Sequence, residues 1–264
     1  MRYQHAEQPR DSVPADEATW WESFYRATVD GKPADWMTIG PVCEPEARFH
    51  YNAVENAIIL ALARRMPFPK PAIWRFAQAR ANWRVLDIGS GTGHWIDFFR
   101  ETYLSGQVIG VELVPQMAEH LRRKYGDDVQ IIEADVAESP LPVDNVDIVS
   151  AIGVMFHIID DARWHRTIGH LATTLKPGGL MLVGGDFGPE TRDVQFNKTD
   201  RFNSWSEHDA ADVEAARVNK RVRSLDAWHT AASDHGLAIV DLVRAMSDPG
   251  ISTPENDLLV LRRR

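Results

Sequence analysis

The stretch VLDIGSGTGHW, residues 85–95, places three glycines within five positions, directly after an apolar run that ends in Asp87. An apolar run followed by a glycine-rich turn is typical of a β-strand that leads into a helix. The glycines let backbone N–H groups approach a ligand at the positive end of the helix dipole. The stretch therefore predicts a ligand site at the carboxyl end of a strand.

The spacing of the glycines separates two kinds of ligand. Gly89, Gly91 and Gly93 follow G-x-G-x-G, whereas a dinucleotide site has G-x-G-x-x-G, whose third glycine would fall on His94. Asp87 would repel a pyrophosphate, but a carboxylate pairs well with a ligand that carries a positive amine. S-adenosylmethionine (SAM) has such an amine, and it also has a carboxylate for the helix end. The loop therefore favours SAM over NAD.

Short apolar runs alternate with helical stretches from Arg84 onward, a pattern of a parallel sheet with crossover helices. Only a short link joins the last two runs, so we expect those strands to pair antiparallel. The predicted fold class is an α/β, Rossmann-like sheet of seven mostly parallel strands with flanking helices, its last strand antiparallel, and an N-terminal helical cap. The predicted strands are RVLDIG, QVIGVEL, VQIIEAD, VDIVSAIG, LMLVGGD, LAIVDLVRA and NDLLVLRRR.

Two segments lie outside this pattern. Helical spacing predicts a short helix around residues 21–28 and a longer one from near Glu46 to Met66, with Phe49, Ala53, Ala57, Leu60 and Ala61 on its apolar stripe. Its polar face, which includes Glu55, is either solvated or directed at a polar ligand. Residues 187–223 are polar and show no strand pattern, so we interpret them as an insertion.

Charge and composition exclude several classes of function. The 264 residues carry a formal net charge of -9, so the chain lacks the broad basic surface that nucleic-acid binding requires. Cys43 is the single cysteine, and the charged start lacks the apolar core of a signal peptide. The apolar run at 57–63 is too short to span a bilayer. We expect a cytoplasmic protein with neither a nucleic-acid nor a membrane partner.

The D-x-G-x-G-x-G run of residues 87–93 resembles the nucleotide loop of class I SAM-dependent methyltransferases, and the acids at the following strand ends agree with that family in order and spacing. The resemblance implies SAM as the cofactor. It implies that Glu112 holds the ribose hydroxyls with Leu113 beside the adenine, and that Asp135 receives the adenine amino group. The implied cofactor-binding residues are Asp87, Gly89, Ser90, Gly91, Thr92, Gly93, Glu112, Leu113, Asp135, Val136, Ala151 and Ile152.

The sequence says less about the molecule that accepts the methyl group than about the cofactor. Family members that methylate exocyclic or amide nitrogens carry an Asn/Asp-Pro-Pro-Tyr/Phe motif after the fourth strand, whereas this chain has SAIGVMFHI at 150–158. The resemblance is to the small-molecule branch, and we expect O-methylation of a small apolar or aromatic acceptor. His157 is a candidate base, because imidazoles titrate near neutral pH, and Asp186 is the second candidate. A packing role for His157 stays open.

The resemblance covers residues 84–186, so the remaining parts are assigned by position. We predict residues 1–80 as a helical cap over the substrate and residues 81–264 as the SAM-binding methyltransferase domain, with the insertion at about 187–223. Adjacent Asp160 and Asp161 are interpreted as a helix cap, and no metal site is predicted. The alternatives are a Rossmann-type NAD(P)-dependent oxidoreductase and a non-catalytic SAM-binding protein. Aromatic residues that either pack in a core or line the acceptor pocket are Trp20, Trp21, Phe24, Tyr25, Trp36, Phe196, Phe202 and Trp205.

Overall fold

The computed structural model describes residues 44–65, 83–103, 106–184, 194–197, 206–208, 220–244 and 257–264. Within these ranges the chain forms ten strands and five α-helices. The strands are β1 Arg84–Ile88, β2 Gln107–Glu112, β3 Gln130–Glu133, β4 Val146–Ile152, β5 Leu175–Gly184, β6 Val194–Asn197, β7 Ser206–His208, β8 Lys220–Val222, β9 Leu237–Val243 and β10 Leu258–Arg263. The helices are α1 Glu44–Arg65, α2 His94–Tyr103, α3 Pro115–Tyr125, α4 Asp161–Thr174 and α5 Leu225–Asp234.

Seven strands form the central sheet in the order β3-β2-β1-β4-β5-β10-β9. Strand β10 is antiparallel to both of its neighbours, and the other six strands share one direction. The predicted Rossmann-like fold, with its last strand antiparallel, is therefore confirmed. The strand order reverses between β1 and β4, and ligands of such sheets bind beside the carboxyl ends of the strands at that point.

The helices bury an apolar core on each face of the sheet. One core contains side chains of α1, α2 and α3, including Ile58, Phe99 and Leu121, and the other contains side chains of α4 and α5, including Ile168 and Trp228. No helix among the described ranges is both long enough and apolar enough to cross a membrane.

Local signals in the sequence set several helix ends. The side chain of Ser224 accepts a hydrogen bond from the Ala227 N–H and starts α5, as the side chain of Asp160 does for the Arg163 N–H of α4. Gly126 ends α3 with a φ of 56°. The interpretation of the acid pair as a helix cap is confirmed for Asp160, whereas Asp161 is the first residue of α4 and pairs with Arg221 and Arg223.

The long predicted helix near residues 46–66 is present as α1, but its apolar stripe was placed partly wrong. Phe49 and Leu60 are 44% and 42% exposed. These two residues are eleven positions apart, about three helical turns, so they lie on one line along the flank of the helix. Ala53, Ala57 and Ala61 of the predicted stripe are buried, and the rest of the buried face is formed by Val54, Ile58 and Leu62.

The expectation that residues 187–223 contain no strands is wrong. Strands β6, β7 and β8 form a second, antiparallel sheet in the order β7-β6-β8. These strands are three or four residues long and mostly polar, so they depend on pairing with each other rather than on an alternating apolar pattern. The predicted helix near residues 21–28 and the side chains of the aromatic residues named above lie outside what the structure describes.

Candidate cofactor site

The sheet brings the predicted acids to one edge. Asp87 lies near the end of β1, Glu112 ends β2, and Asp135 follows the end of β3 by two residues. These strands are adjacent and parallel, with Asp87 opposite Gly110 and with Glu112 opposite Glu133. The carboxyl ends of β1, β2 and β3 therefore present three carboxylates in a row along the crevice.

The glycine turn between β1 and α2 is held against β2. The N–H groups of Gly89 and Ser90 both donate to the Val111 carbonyl, at 2.8 and 3.1 Å. Gly89 and Gly93 have φ values of 65° and 92°, which side chains rarely adopt. A Cβ at Gly89 would lie 2.5 Å from Val154 Cγ2, and one at Gly93 would lie 2.2 Å from the Tyr125 hydroxyl. Glycine is therefore required at both positions by conformation and by space.

Two residues at the end of α3, Lys124 and Tyr125, form a polar clamp on the same turn. The Tyr125 hydroxyl lies 2.9 Å from the Gly93 carbonyl and 2.8 Å from Asp97 Oδ1. Lys124 Nζ donates to the Thr92 carbonyl at 3.0 Å and to Asp97 Oδ2 at 2.7 Å. Burial, together with Asp97, raises the pKa of Tyr125 above its ordinary value, so the phenol stays protonated. No spacing rule in the sequence reveals this clamp, because its partners are about thirty positions apart.

Asp87 is the least satisfied charged group of the site. It is fully buried, and neither carboxylate oxygen has a hydrogen-bond partner of normal geometry within the described ranges. Burial raises the pKa of Asp87 from 3.8 to about 7, which the hydroxyls of Ser90 and Ser150 offset only in part, while the charge of Glu112 raises it further. A buried carboxylate in this state favours a cationic partner. The ammonium group of SAM has that chemistry, so the residues fit this cofactor.

Glu112 is also buried, but both of its oxygens are in use. Oε2 accepts from the Gly91 N–H at 2.8 Å, and Oε1 accepts from the Val114 N–H at 2.9 Å. Burial raises the pKa of Glu112, and these backbone hydrogen bonds counter the rise. Each carboxylate oxygen keeps a second lone pair, so Glu112 can tie the glycine turn to β2 and still accept further hydrogen bonds.

Asp135 opens the turn that follows β3. Its Oδ1 accepts from the Ala137 N–H at 2.8 Å, and its Oδ2 accepts from Arg163 Nη2 at 2.7 Å. Arg163 also pairs with Glu138 at 3.1 Å. The sequence predicted Asp135 as a site residue but gave no sign of Arg163, because the two are 28 positions apart and lie on different elements.

Helix α1 reaches the glycine turn through His94, the first residue of α2. His94 Nε2 lies 2.9 Å from Glu55 Oε1. The His94 ring stacks on Tyr51 with a centroid distance of 3.7 Å and an interplanar angle of 25°. The polar face of α1 is therefore directed at the end of the glycine turn, where Glu55 contacts His94.

The other predicted cofactor residues lie near the same strand ends. Thr92, Val136 and Ala151 are buried, and Leu113 and Ile152 are partly buried. The Ser90 hydroxyl donates to the Asp87 carbonyl at 3.1 Å and so braces the turn internally. The structure thus gathers all twelve predicted cofactor residues around the carboxyl ends of β1 to β4.

His157 lies on the rim beyond β4, at the end of a short 3-10 helix, Met155–His157. Its N–H donates to the Val154 carbonyl at 2.9 Å, and its ring centroid lies 4.1 Å from that of Phe156. The other candidate base, Asp186, falls outside the described residues. The described part of the chain contains no group of three or more side chains able to hold a metal ion.

A buried arginine that the sequence did not reveal fixes the backbone directly after this rim. Arg223 is 1% exposed. It donates to the Ile158 and Ile159 carbonyls at 2.9 and 3.0 Å and to Asp161 at 3.2 Å. Because Arg223 directly follows β8, it joins the small second sheet to the segment that carries His157.

Glycines at positive φ, a parallel sheet that reverses order at β1, and carboxylates at successive strand ends define a Rossmann-like domain that binds a nucleotide-type cofactor. Residues 85–179 match the family model described as a methyltransferase domain. Residues 85–179 thus form a methyltransferase domain of the class I SAM-dependent type, as the glycine turn predicted. The cofactor of that family is SAM.

Relatives and solved structures agree with this assignment. A demethylmenaquinone methyltransferase of Thermus thermophilus is 30% identical over 130 residues, which cover 46% of this chain and 58% of that protein. A probable SAM-dependent methyltransferase of Mycobacterium tuberculosis is 34% identical over 99 residues, covering 38% of this chain and 34% of that protein. The chain thus spans little more than half of the first relative and about a third of the second.

A solved structure shares this fold. It is the SAM-bound amino pentose methyltransferase of Micromonospora echinaspora, with a TM-score of 0.50 and 18% identity. The match covers 98% of this chain and 100% of that one.

The state of Asp87 predicts how stability depends on pH. Because the folded pKa of about 7 exceeds the ordinary value of 3.8, the folded protein without ligand loses stability as the pH rises from about 4 to about 7. We expect Asp87→Asn to raise the free energy of unfolding at pH 8 by about 1–4 kcal/mol and to change it little at pH 4. Urea denaturation at both pH values measures this difference. The exposed Asp127→Asn variant is the control, and equal stability of Asp87→Asn and the wild type at both pH values contradicts the prediction.

Proposed function

We propose that the protein transfers a methyl group from SAM to a small-molecule acceptor, and that an oxygen atom of the acceptor receives it. The observation that carries this proposal is the buried carboxylate of Asp87, which has no hydrogen-bond partner of normal geometry among the described residues, beside a glycine turn at φ values that side chains rarely adopt. A phosphate-binding turn has no use for such a carboxylate, because it would repel the ligand. An amino-acid conjugate such as SAM satisfies it.

Different residues of the chain would bind different parts of the cofactor. Asp87 would pair with the ammonium group, and the glycine turn with the start of α2 would hold the carboxylate near the positive end of the helix dipole. Glu112 would accept hydrogen bonds from the ribose with the lone pairs that the backbone leaves unused. Asp135 would accept from the adenine amino group. Ala151 and Ile152 would contact the methionine part through the backbone at the end of β4.

SAM supplies a methyl group on a sulfonium, which is already a good leaving group. The protein's own contribution is then to hold the acceptor in line with that methyl group and to remove a proton where the acceptor carries one. His157 lies at the rim where an acceptor would enter, and Arg223 fixes the backbone that follows it. We assign His157 the role of general base and keep Asp186 as the second candidate.

The small-molecule class is supported by what related proteins act on. The Thermus relative is named for demethylmenaquinone, and the Micromonospora structure for an amino pentose. The chain also lacks, after β4, the motif typical of enzymes that methylate exocyclic or amide nitrogens. Net charge of -9 gives no support for a nucleic-acid acceptor.

The cofactor part of this proposal is tested by calorimetric titration with S-adenosylhomocysteine and with NAD. We expect S-adenosylhomocysteine to bind and NAD not to bind. Asp87→Asn should weaken S-adenosylhomocysteine binding at least about tenfold at pH 8, because the ammonium loses its charged partner. Asp127→Asn should bind like the wild type. Tight binding of NAD, or unchanged binding by Asp87→Asn, would falsify the proposal.

The base is tested with an acceptor found by mass spectrometry, in a screen of hydroxylated aromatic compounds for the gain of one methyl group. His157→Ala should keep wild-type affinity for S-adenosylhomocysteine, while turnover falls roughly a hundredfold. The wild-type rate should rise with pH through neutrality, because an imidazole must be neutral to accept a proton, and the variant should lack this rise. Near-wild-type turnover with the same pH profile would show that His157 only packs.

A further inference from the structure

The turn after β3 is held by a row of basic side chains that are not among the predicted cofactor-binding residues. We call residues 135–138 the adenine-edge turn. Arg163, Arg166 and His170 lie on one face of α4 at the spacing i, i+3, i+7. Arg163 donates to the Asp135 carboxylate at 2.7 Å, Arg166 lies 3.4 Å from the Ala137 carbonyl, and His170 lies 2.8 Å from the Val136 carbonyl. Three successive residues of the turn therefore each have a partner on α4.

Only one of these three contacts involves a side chain of the turn. Arg166 and His170 contact backbone carbonyls and so hold the path of the chain. Arg163 contacts the carboxylate of Asp135, whose other oxygen accepts from the Ala137 N–H at 2.8 Å. The terminal torsion of an aspartate is broad, so one hydrogen bond leaves the carboxylate free to turn, whereas one on each oxygen fixes its plane. Arg163 therefore decides where the remaining lone pairs of Asp135 point.

The arginine is itself held in place from both sides. Its second guanidinium nitrogen, Nη1, pairs with Glu138 at 3.1 Å, and its backbone N–H donates to the Asp160 cap at 2.8 Å. A guanidinium that bridges two carboxylates has its planar fork in use, so it serves Asp135 rather than contacting a ligand directly. The Asp135 side chain is 27% exposed, so removal of Arg163 does not leave a fully buried charge behind.

We propose that Arg163 is a positioning residue that gives the site its selectivity for a 6-amino purine over a 6-oxo purine, by fixing the Asp135 carboxylate toward the purine edge. This inference rests on the proposed binding of SAM. A carboxylate held in that plane accepts a hydrogen bond from the amino group of adenine and repels the carbonyl oxygen of hypoxanthine. A carboxylate that can turn away loses both the attraction and the repulsion.

The test compares S-adenosylhomocysteine with S-inosylhomocysteine, which differ at position 6 of the purine. Calorimetry gives the ratio of the two dissociation constants for the wild type, Arg163→Met and Arg163→Lys. We expect the wild type to prefer the adenine ligand by tenfold or more, as for one charge-assisted hydrogen bond. Arg163→Met should lower that preference to about threefold or less, and Arg163→Lys, which keeps one charged contact, should lie between them.

Two controls separate selectivity from general structure. Arg166→Met removes a neighbouring basic side chain that does not contact Asp135, and it should keep the wild-type ratio even if both affinities fall. Arg123→Met removes a surface pair with Glu119 on α3 and should change nothing. Thermal unfolding of each variant confirms that it is folded.

The outcomes distinguish this inference from the proposed function. An Arg163→Met variant with the wild-type ratio, or with equal loss for both ligands, overturns the role of Arg163 and leaves SAM binding intact. Equal binding of the two ligands by the wild type does the same. A wild type that binds neither ligand contradicts the proposed function itself.

Discussion

A buried carboxylate without a hydrogen-bond partner costs free energy, and Asp87, near the end of the central strand β1, has none of normal geometry among the residues that the structure describes. Asp87 is fully buried, and the charge of a second buried acid, Glu112, acts on it. Packing of the apolar core does not call for an aspartate at position 87. The hydroxyls of Ser90 and Ser150 offset the cost of its burial only in part. The cost is removed when a cation binds, so the affinity for such a ligand is built into the fold at the expense of stability without it.

Contacts from neighbouring elements hold the glycine turn in place even though the buried Asp87 carboxylate destabilises the fold without ligand. Lys124 and Tyr125 hold its carbonyls from α3, Glu112 accepts a backbone N–H from its centre, and Glu55 of α1 contacts His94 at its end. The turn is thus fixed by three elements that are distant in sequence. A preformed turn lowers the entropy lost on binding. The adenine-edge turn is held in the same way, by the basic face of α4.

The sequence predicted the parts that local patterns encode. The seven strands of the main sheet, the glycine turn and the ends of α3 and α5 follow from apolar runs, glycine positions and a serine cap. It did not predict Lys124, Asp97, Arg163 or Arg223, because each forms a tertiary contact between elements and no spacing rule connects the partners. The small sheet of β6, β7 and β8 was missed for a related reason, since its short polar strands are defined by their pairing. The exposed flank of α1 at Phe49 and Leu60 shows that periodicity locates a helix better than it locates the edge of its buried face.

Because burial raises its pKa to about 7, Asp87 stays partly protonated near neutral pH until a cationic ligand binds. The most direct measurement is the number of protons released when S-adenosylhomocysteine binds, obtained by calorimetry in buffers of different ionisation enthalpy. With a folded pKa of about 7, Asp87 is mostly protonated at pH 6 and mostly ionised at pH 8. Binding of the ammonium group should therefore release nearly one proton at pH 6 and almost none at pH 8, and Asp87→Asn should abolish the release. Binding without proton release at pH 6, or with the same release in Asp87→Asn, would contradict the assignment of Asp87 as the partner of the ligand's amine.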